Sequence, residues 1–290
     1  MSGDSTIYAS TTARTPLAEP SSLGAFGMIE SRGLSRITWD RTRIEKLELG
    51  WSTVDVLYNL QKTMPVAVWE TSVLEGIVIT LPEVQTLMEG TSVDGRPLHD
   101  LRQVDNIATA YRHLHELVEQ GTFELTSGAA HRFNFILERD EILDPGKFRL
   151  DHTIVQSPGG EVALLDGTFF RAPDPGAHGE SLHRIWQDGI SAIETIADPD
   201  ERGLATFAWI AYNQFYYNGN KRTAKFLANG VLMSHGINAV NPSSRTRDTY
   251  NAALDHLYRT SDATAIMQYL SSESRRYRPT DPSARPTLAP

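Results

Sequence analysis

Two apolar-periodic runs, residues 204–212 and 224–233, flank the segment Gln214-Phe215-Tyr216-Tyr217-Asn218-Gly219-Asn220-Lys221-Arg222-Thr223. That spacing predicts two consecutive helices joined by a tight turn. Asn218-Gly219-Asn220 favours positive φ, and Lys221-Arg222-Thr223 opens the second helix. A helix start leaves backbone N–H groups without intrahelical partners, and here two cations stand beside them. Such a junction is an anion cradle, and phosphate is its obvious guest. A bare Gly-Asn-Lys-Arg turn is otherwise a solvated helix start, so neighbouring features must decide between the two.

A chain of 290 residues, 40% hydrophobic, can bury a full core, which implies one main globular domain with appendages. Its 27 basic against 36 acidic residues give a net charge of −9. That balance argues against a broad nucleic-acid footprint while leaving room for a local basic pocket. There is no cysteine, which excludes disulfides, thiolate catalysis and thiolate metal sites and fits a cytoplasmic location. Residues 1–32 are rich in Ser, Thr, Ala, Gly and Pro, and residues 274–290 in Pro; both read as disordered tails. No secretory signal or membrane span is expected, because no apolar run reaches the length either needs.

Between the tails the pattern is helical. Residues 53–64 form one expected helix that Pro65 breaks, and residues 67–75 a second that stops at Gly76. Further helices are expected at 82–88, 105–119, 127–139, 182–196, 199–215, 220–235, 247–259 and 262–271. Residues 152–170 change character: Thr153-Ile154-Val155, a Gly159-Gly160 turn and Val162-Ala163-Leu164-Leu165 suggest a β-hairpin. Phe207, Trp209 and Tyr212 fall at helical spacing and read as core packing. The expected fold is all-α with one small β-hairpin. A helical region at 33–94 precedes a main domain at 95–273.

The junction resembles the Fic (Fido) motif, HxFx(D/E)GN(G/K)RxxR. Aligned on Gly219-Asn220-Lys221-Arg222, the motif histidine falls on Gln214, the phenylalanine on Tyr216, the acidic residue on Asn218 and the last arginine on Lys225. Pro145-Gly146-Lys147-Phe148-Arg149 is similar to the PGxFR that precedes the family's substrate-aligning hairpin, the flap. Thr71-Ser72-Val73-Leu74-Glu75-Gly76 is similar to the (S/T)xxxE(G/N) motif of its inhibitory helix. The resemblance implies a Fic-like helical core and an activity of transferring AMP from ATP to a protein hydroxyl. In such members the histidine is the base and the acidic residue holds Mg²⁺. It also implies that Glu75, with Thr71 and Gly76 framing it, competes with the nucleotide's phosphates by facing Lys225 and Arg222.

Two chemical positions have become amides. Gly219 permits close backbone approach, Asn220 can hydrogen-bond phosphate, and Arg222, Lys221 and Lys225 supply cations. Asn218 is a poor Mg²⁺ ligand because it is neutral, although ATP can carry Mg²⁺ in with it. Gln214 cannot take a hydroxyl proton, and losing a general base costs roughly 10²–10⁴ in rate. His131, His152, His178, His183 and Glu75 are the candidate replacements; an already ionised nucleophile would need none. The expectation is therefore an ATP-binding protein whose AMP transfer, to a protein or small-molecule substrate, is weak or redirected. The alternatives are a catalytically silent nucleotide-sensing or protein-binding module, and an enzyme acting on a small phosphorylated, adenylylated or carboxylate substrate.

Overall fold

The computed structural model describes residues 31–34 and 36–274. A two-stranded antiparallel ribbon, β1 (Ser31–Leu34) and β2 (Ile37–Asp40), leads into α1 (Thr53–Leu74) and α2 (Leu81–Met88). Next come α3 (Leu98–Glu119) and α4 (Ser127–Glu138), then the antiparallel pair β3 (Glu161–Ala163) and β4 (Phe169–Arg171). Helices α5 (Glu180–Glu194), α6 (Pro199–Asn213), α7 (Asn220–Met233), α8 (Arg247–Thr260) and α9 (Thr264–Glu273) complete the described chain. The expected all-α class with a small hairpin is what forms.

The α6–α7 pair is the axis of the molecule. Both helices are buried on nearly every face, which a globular helix tolerates only when others surround it. Helices α3 and α4 pack against α7, while α5 and α9 pack against α6. Trp209 is fully buried and contacts the rings of Trp186 and Phe215. Gly189 of α5 makes room for it: a Cβ there would lie 2.0 Å from the indole. One contiguous cluster of buried apolar side chains runs from Leu34 to Leu270, so α1 and the later helices share a core.

Local sequence sets several helix ends. Ser52 and Asp55 form a reciprocal capping box at the start of α1, as Thr80 and Glu83 do at α2. At the end of α1, Gly76 (φ +93°) donates to the Val73 carbonyl and Ile77 to that of Ser72, the two bonds of a Schellman stop. No atom lies within 4 Å of where a Gly76 Cβ would stand, so conformation alone requires glycine there.

Three expectations are corrected. Pro65 does not break the helix: residues 53–74 form a single α1. The carbonyl that its missing N–H leaves without that donor belongs to Gln61, an exposed residue, and Met64, Ala67 and Val68 are buried on either side. The hairpin turn lies at 164–168, not at Gly159-Gly160, because Asp166 accepts from the Thr168 backbone and Gly167 supplies φ +82°. The region expected to be helical from residue 33 begins instead with β1 and β2, which end at Leu34 and Asp40; β2 is tied to the last helices by Thr38 donating to Ser261 and Ala263 donating to Thr38. The disordered-tail readings fall outside the described residues, apart from Ser31 and Arg32 in β1 and Ser274 after α9.

Candidate functional site

Gln214 ends α6 in the left-handed region (φ 48°), which is costly for a non-glycine residue. Its surroundings enforce it. The Arg149 guanidinium, buried to 1% exposure, donates from Nε to the Gln214 carbonyl at 2.6 Å. Arg149 also donates to the carbonyls of Pro158 and Pro173. Burial pulls Arg149 down to about 10, with Tyr217 and Asp174 opposing the fall. The Gln214 amide turns inward, donating to the Ala211 carbonyl (2.6 Å) and the Tyr258 hydroxyl (3.3 Å) and accepting from Asn220 (3.0 Å). Asn220 is equally engaged, since it also donates to the Tyr216 carbonyl and accepts from the Tyr216 N–H. Both amides hold the 214–220 turn closed.

Gly219 (φ +74°) precedes α7, and no side chain caps that helix. Its N-terminus opens on a cavity of about 330 Å³ lined by β3, the 217–222 segment, Gln214, Glu75 and Tyr258. Phe170 of β4 packs on Tyr212 and Tyr258, which fixes the β3–β4 pair over this opening. Tyr217 holds the approach to the pair: its hydroxyl reaches the carbonyls of Val155 and Ser157 and accepts from the Leu150 N–H.

Arg222 is 5% exposed and carries the site's main positive charge. Its Nη2 lies 2.9 Å from Glu138 and 3.3 Å from Glu75, while Nε and Nη1 have no hydrogen-bond partner. Unsatisfied buried guanidinium nitrogens are costly, and an anion on them would remove that cost. Lys221 is partly exposed at the same rim. Lys225 lies deeper than the motif alignment implied: its Nζ donates to Thr71 Oγ1 (2.5 Å) and the Tyr111 hydroxyl (3.0 Å), under the Tyr111 and Phe226 rings. Burial lowers Lys225 to about 7, with Glu75 pulling upward and Arg222 adding to the fall. Thr71 and Glu75 thus meet different cations, Lys225 and Arg222.

Sequence reasoning missed Glu138. Its side chain is fully buried, and a Cβ on Gly219 would lie 2.3 Å from Oε1. Burial raises its carboxyl to about 7; Arg222 opposes the rise, Glu75 and Glu141 add to it, and the Asn218 amide opposes it. A signal existed. Ala130, Phe133, Asn134, Leu137 and Glu138 form one buried stripe at helical spacing, with two polar members i, i+4 on it. Asn134 shares the task, donating to the Asn218 carbonyl at 2.9 Å and accepting from the Gly146 N–H.

None of the candidate histidines lines the cavity. His131 is hydrogen-bonded to the Tyr216 hydroxyl, His183 sits 3.0 Å from Asp151, and burial lowers the pKa of His131. Asn218 is exposed and neutral, and no group of three or more His, Asp or Glu able to hold a metal occurs among the described residues. A neutral amide at Asn218 is a poor ligand for Mg²⁺.

No family model and no curated protein matches the sequence. Solved structures do. Fic-1 (residues 134–508) from C. elegans superposes with a TM-score of 0.60 at 20% identity, over 77% of this chain and 64% of that one. A Fic domain-containing signaling protein from Bacteroides thetaiotaomicron gives 0.63 at 18% identity, over 78% of this chain and 88% of that one. A Fic family protein from Desulfovibrio desulfuricans gives 0.57 at 13% identity, over 80% and 75%. The chain has the Fic fold, and it spans under two thirds of the C. elegans fragment.

Proposed function

We propose that this Fic-fold chain binds ATP or a related phosphate-bearing nucleotide in the cavity between β3 and the start of α7. In this reading AMP transfer to hydroxyls is slow or redirected. One observation carries it: an uncapped helix N-terminus opens on a cavity beside a buried arginine with two unpartnered nitrogens. The backbone N–H groups after Gly219 would take the phosphate oxygens, with the charges of Arg222 and Lys221 beside them. Any Mg²⁺ would arrive with the nucleotide. Strand β3 would receive an extended substrate segment along its free edge.

Gln214 favours a nucleotide-sensing module as the second reading. A hydroxyl nucleophile needs a proton acceptor facing the cavity, whereas the Gln214 amide is turned onto Ala211, Tyr258 and Asn220. A cytoplasmic setting, where ATP is plentiful, suits either reading; no helix among the described residues is long and apolar enough to cross a membrane.

Incubation with labelled ATP separates these readings. The natural chain should label itself and added proteins little. Gln214→His should raise labelling by roughly 10²-fold or more, the scale of a restored general base, and Glu75→Gly should add to it. Strong labelling by the natural chain would mean that another base acts. ATP-dependent elevation of the melting midpoint without labelling in any variant would favour the sensor.

A further inference from the structure

One guanidinium is shared by two carboxylates of unequal freedom. Glu138 comes from α4, is wholly buried and is closed in by Gly219; Glu75 ends α1 and keeps a quarter of its side chain exposed. Both reach the same nitrogen, Arg222 Nη2. Above about pH 7, where Glu138 is ionised, the Arg222 cation sits between two anions that repel each other and binds each less firmly than it would bind one alone. Glu138 cannot leave without emptying a buried position, whereas Glu75 can swing to solvent. The unpartnered Nε and Nη1 edge belongs to the same residue that lines the cavity.

Resting on the nucleotide reading above, we infer that Glu138 is a positioning residue that divides the Arg222 charge and so sets how firmly Glu75 holds it. With Glu138 in place, Glu75 is loose enough for an incoming phosphate to displace it, while Arg222 stays anchored. Neutralising Glu138 gives the whole charge to Glu75 and tightens that clamp. Simple field arguments give the opposite sign, because removing a negative charge beside an anion site should strengthen anion binding. The direction of the effect is therefore diagnostic.

The experiment is a double-mutant cycle on the full chain, with ATP titrated calorimetrically into the natural protein, Glu138→Gln, Glu75→Gln and the double variant. Glu138→Gln should weaken ATP binding roughly 3- to 10-fold when Glu75 is present, and strengthen it when Glu75→Gln is also present, a coupling in the usual range for interacting sites. The same direction of change in both backgrounds would overturn the inference. A second measurement needs no ligand. Amide hydrogen exchange at Glu75, Gly76 and Ile77, which close the end of α1, should slow several-fold in Glu138→Gln. Unchanged or faster exchange there would sink the role of Glu138. If no variant binds ATP, the nucleotide reading falls while the exchange result still decides on Glu138. Should Glu138→Gln fail to fold, Glu138→Asp, which draws the carboxylate back by one methylene, must shift both readouts in the same directions.

Discussion

At the scale of single residues the site is a set of charges that burial has made expensive. Glu138 and Lys225 are both moved to about 7, from opposite sides. Glu138 is raised from 4.5, so the folded chain binds more protons than the unfolded one between pH 4.5 and 7, and stability falls as pH rises through that window. Lys225 is lowered from 10.5, so the folded chain binds fewer protons between pH 7 and 10.5, and stability rises there. Together they place a minimum near neutrality. Urea midpoints measured across pH should show Glu138→Gln flattening the acid limb and Lys225→Met the alkaline limb; parallel curves for natural and variant chains would contradict this. Gly219 is the other sensitive position. Gly219→Ala combines a left-handed φ with a Cβ 2.3 Å from Glu138 Oε1, and should cost about 2–3 kcal/mol in denaturant unfolding.

At the scale of elements, helix continuity is decided by what a helix packs against. Pro65 costs a hydrogen bond inside α1, yet the buried residues on both sides lie on one face against α3 and hold the helix together. Pro65→Ala restores the donor to the Gln61 carbonyl and should raise stability by about 1–3 kcal/mol. A loss of stability would mean that the ring's own packing outweighs the hydrogen bond. The β3–β4 pair is small and depends on side chains beneath it. Phe170 rests on Tyr212 and Tyr258, and Leu165 donates to Asp255 of α8. Phe170→Ala should leave the global melting midpoint within a few degrees but speed amide exchange in residues 161–171, since few other buried contacts hold that segment.

At the scale of the whole molecule, α1 is a structural member as well as the carrier of Glu75. Leu60, Met64, Ala67 and Val68 belong to the one core, and Thr71 supplies a hydrogen bond to buried Lys225. Removing α1 would expose that apolar face and leave Lys225 with a lost partner, so a chain beginning at residue 95 should lack a cooperative thermal transition by circular dichroism. A folded, ATP-binding fragment would show instead that α1 is a detachable inhibitor. The same unity explains why the inhibitory-type motif is divided between two cations. Thr71 and Glu75 are one helical turn apart on α1, and Arg222 and Lys225 are nearly so on α7, so each side chain meets the partner opposite it.

The sequence by itself determined what is local. Apolar periodicity, capping pairs such as Ser52 with Asp55, and the glycines at 76 and 219 specify helices and their ends through backbone sterics and neighbouring hydrogen bonds. The turn at 218–220 was legible for the same reason, whereas reading it as an anion cradle whose proton acceptor Gln214 replaces rests on the resemblance to the Fic motif. Tertiary structure alone decided where Gln214 points, that Pro65 would be carried within a helix, and that Glu138 of α4 would share Arg222 with Glu75. Those outcomes depend on burial and on contacts between segments as many as 147 residues apart, from Glu75 to Arg222. Desolvation makes such contacts strong, and it acts only once the core has closed.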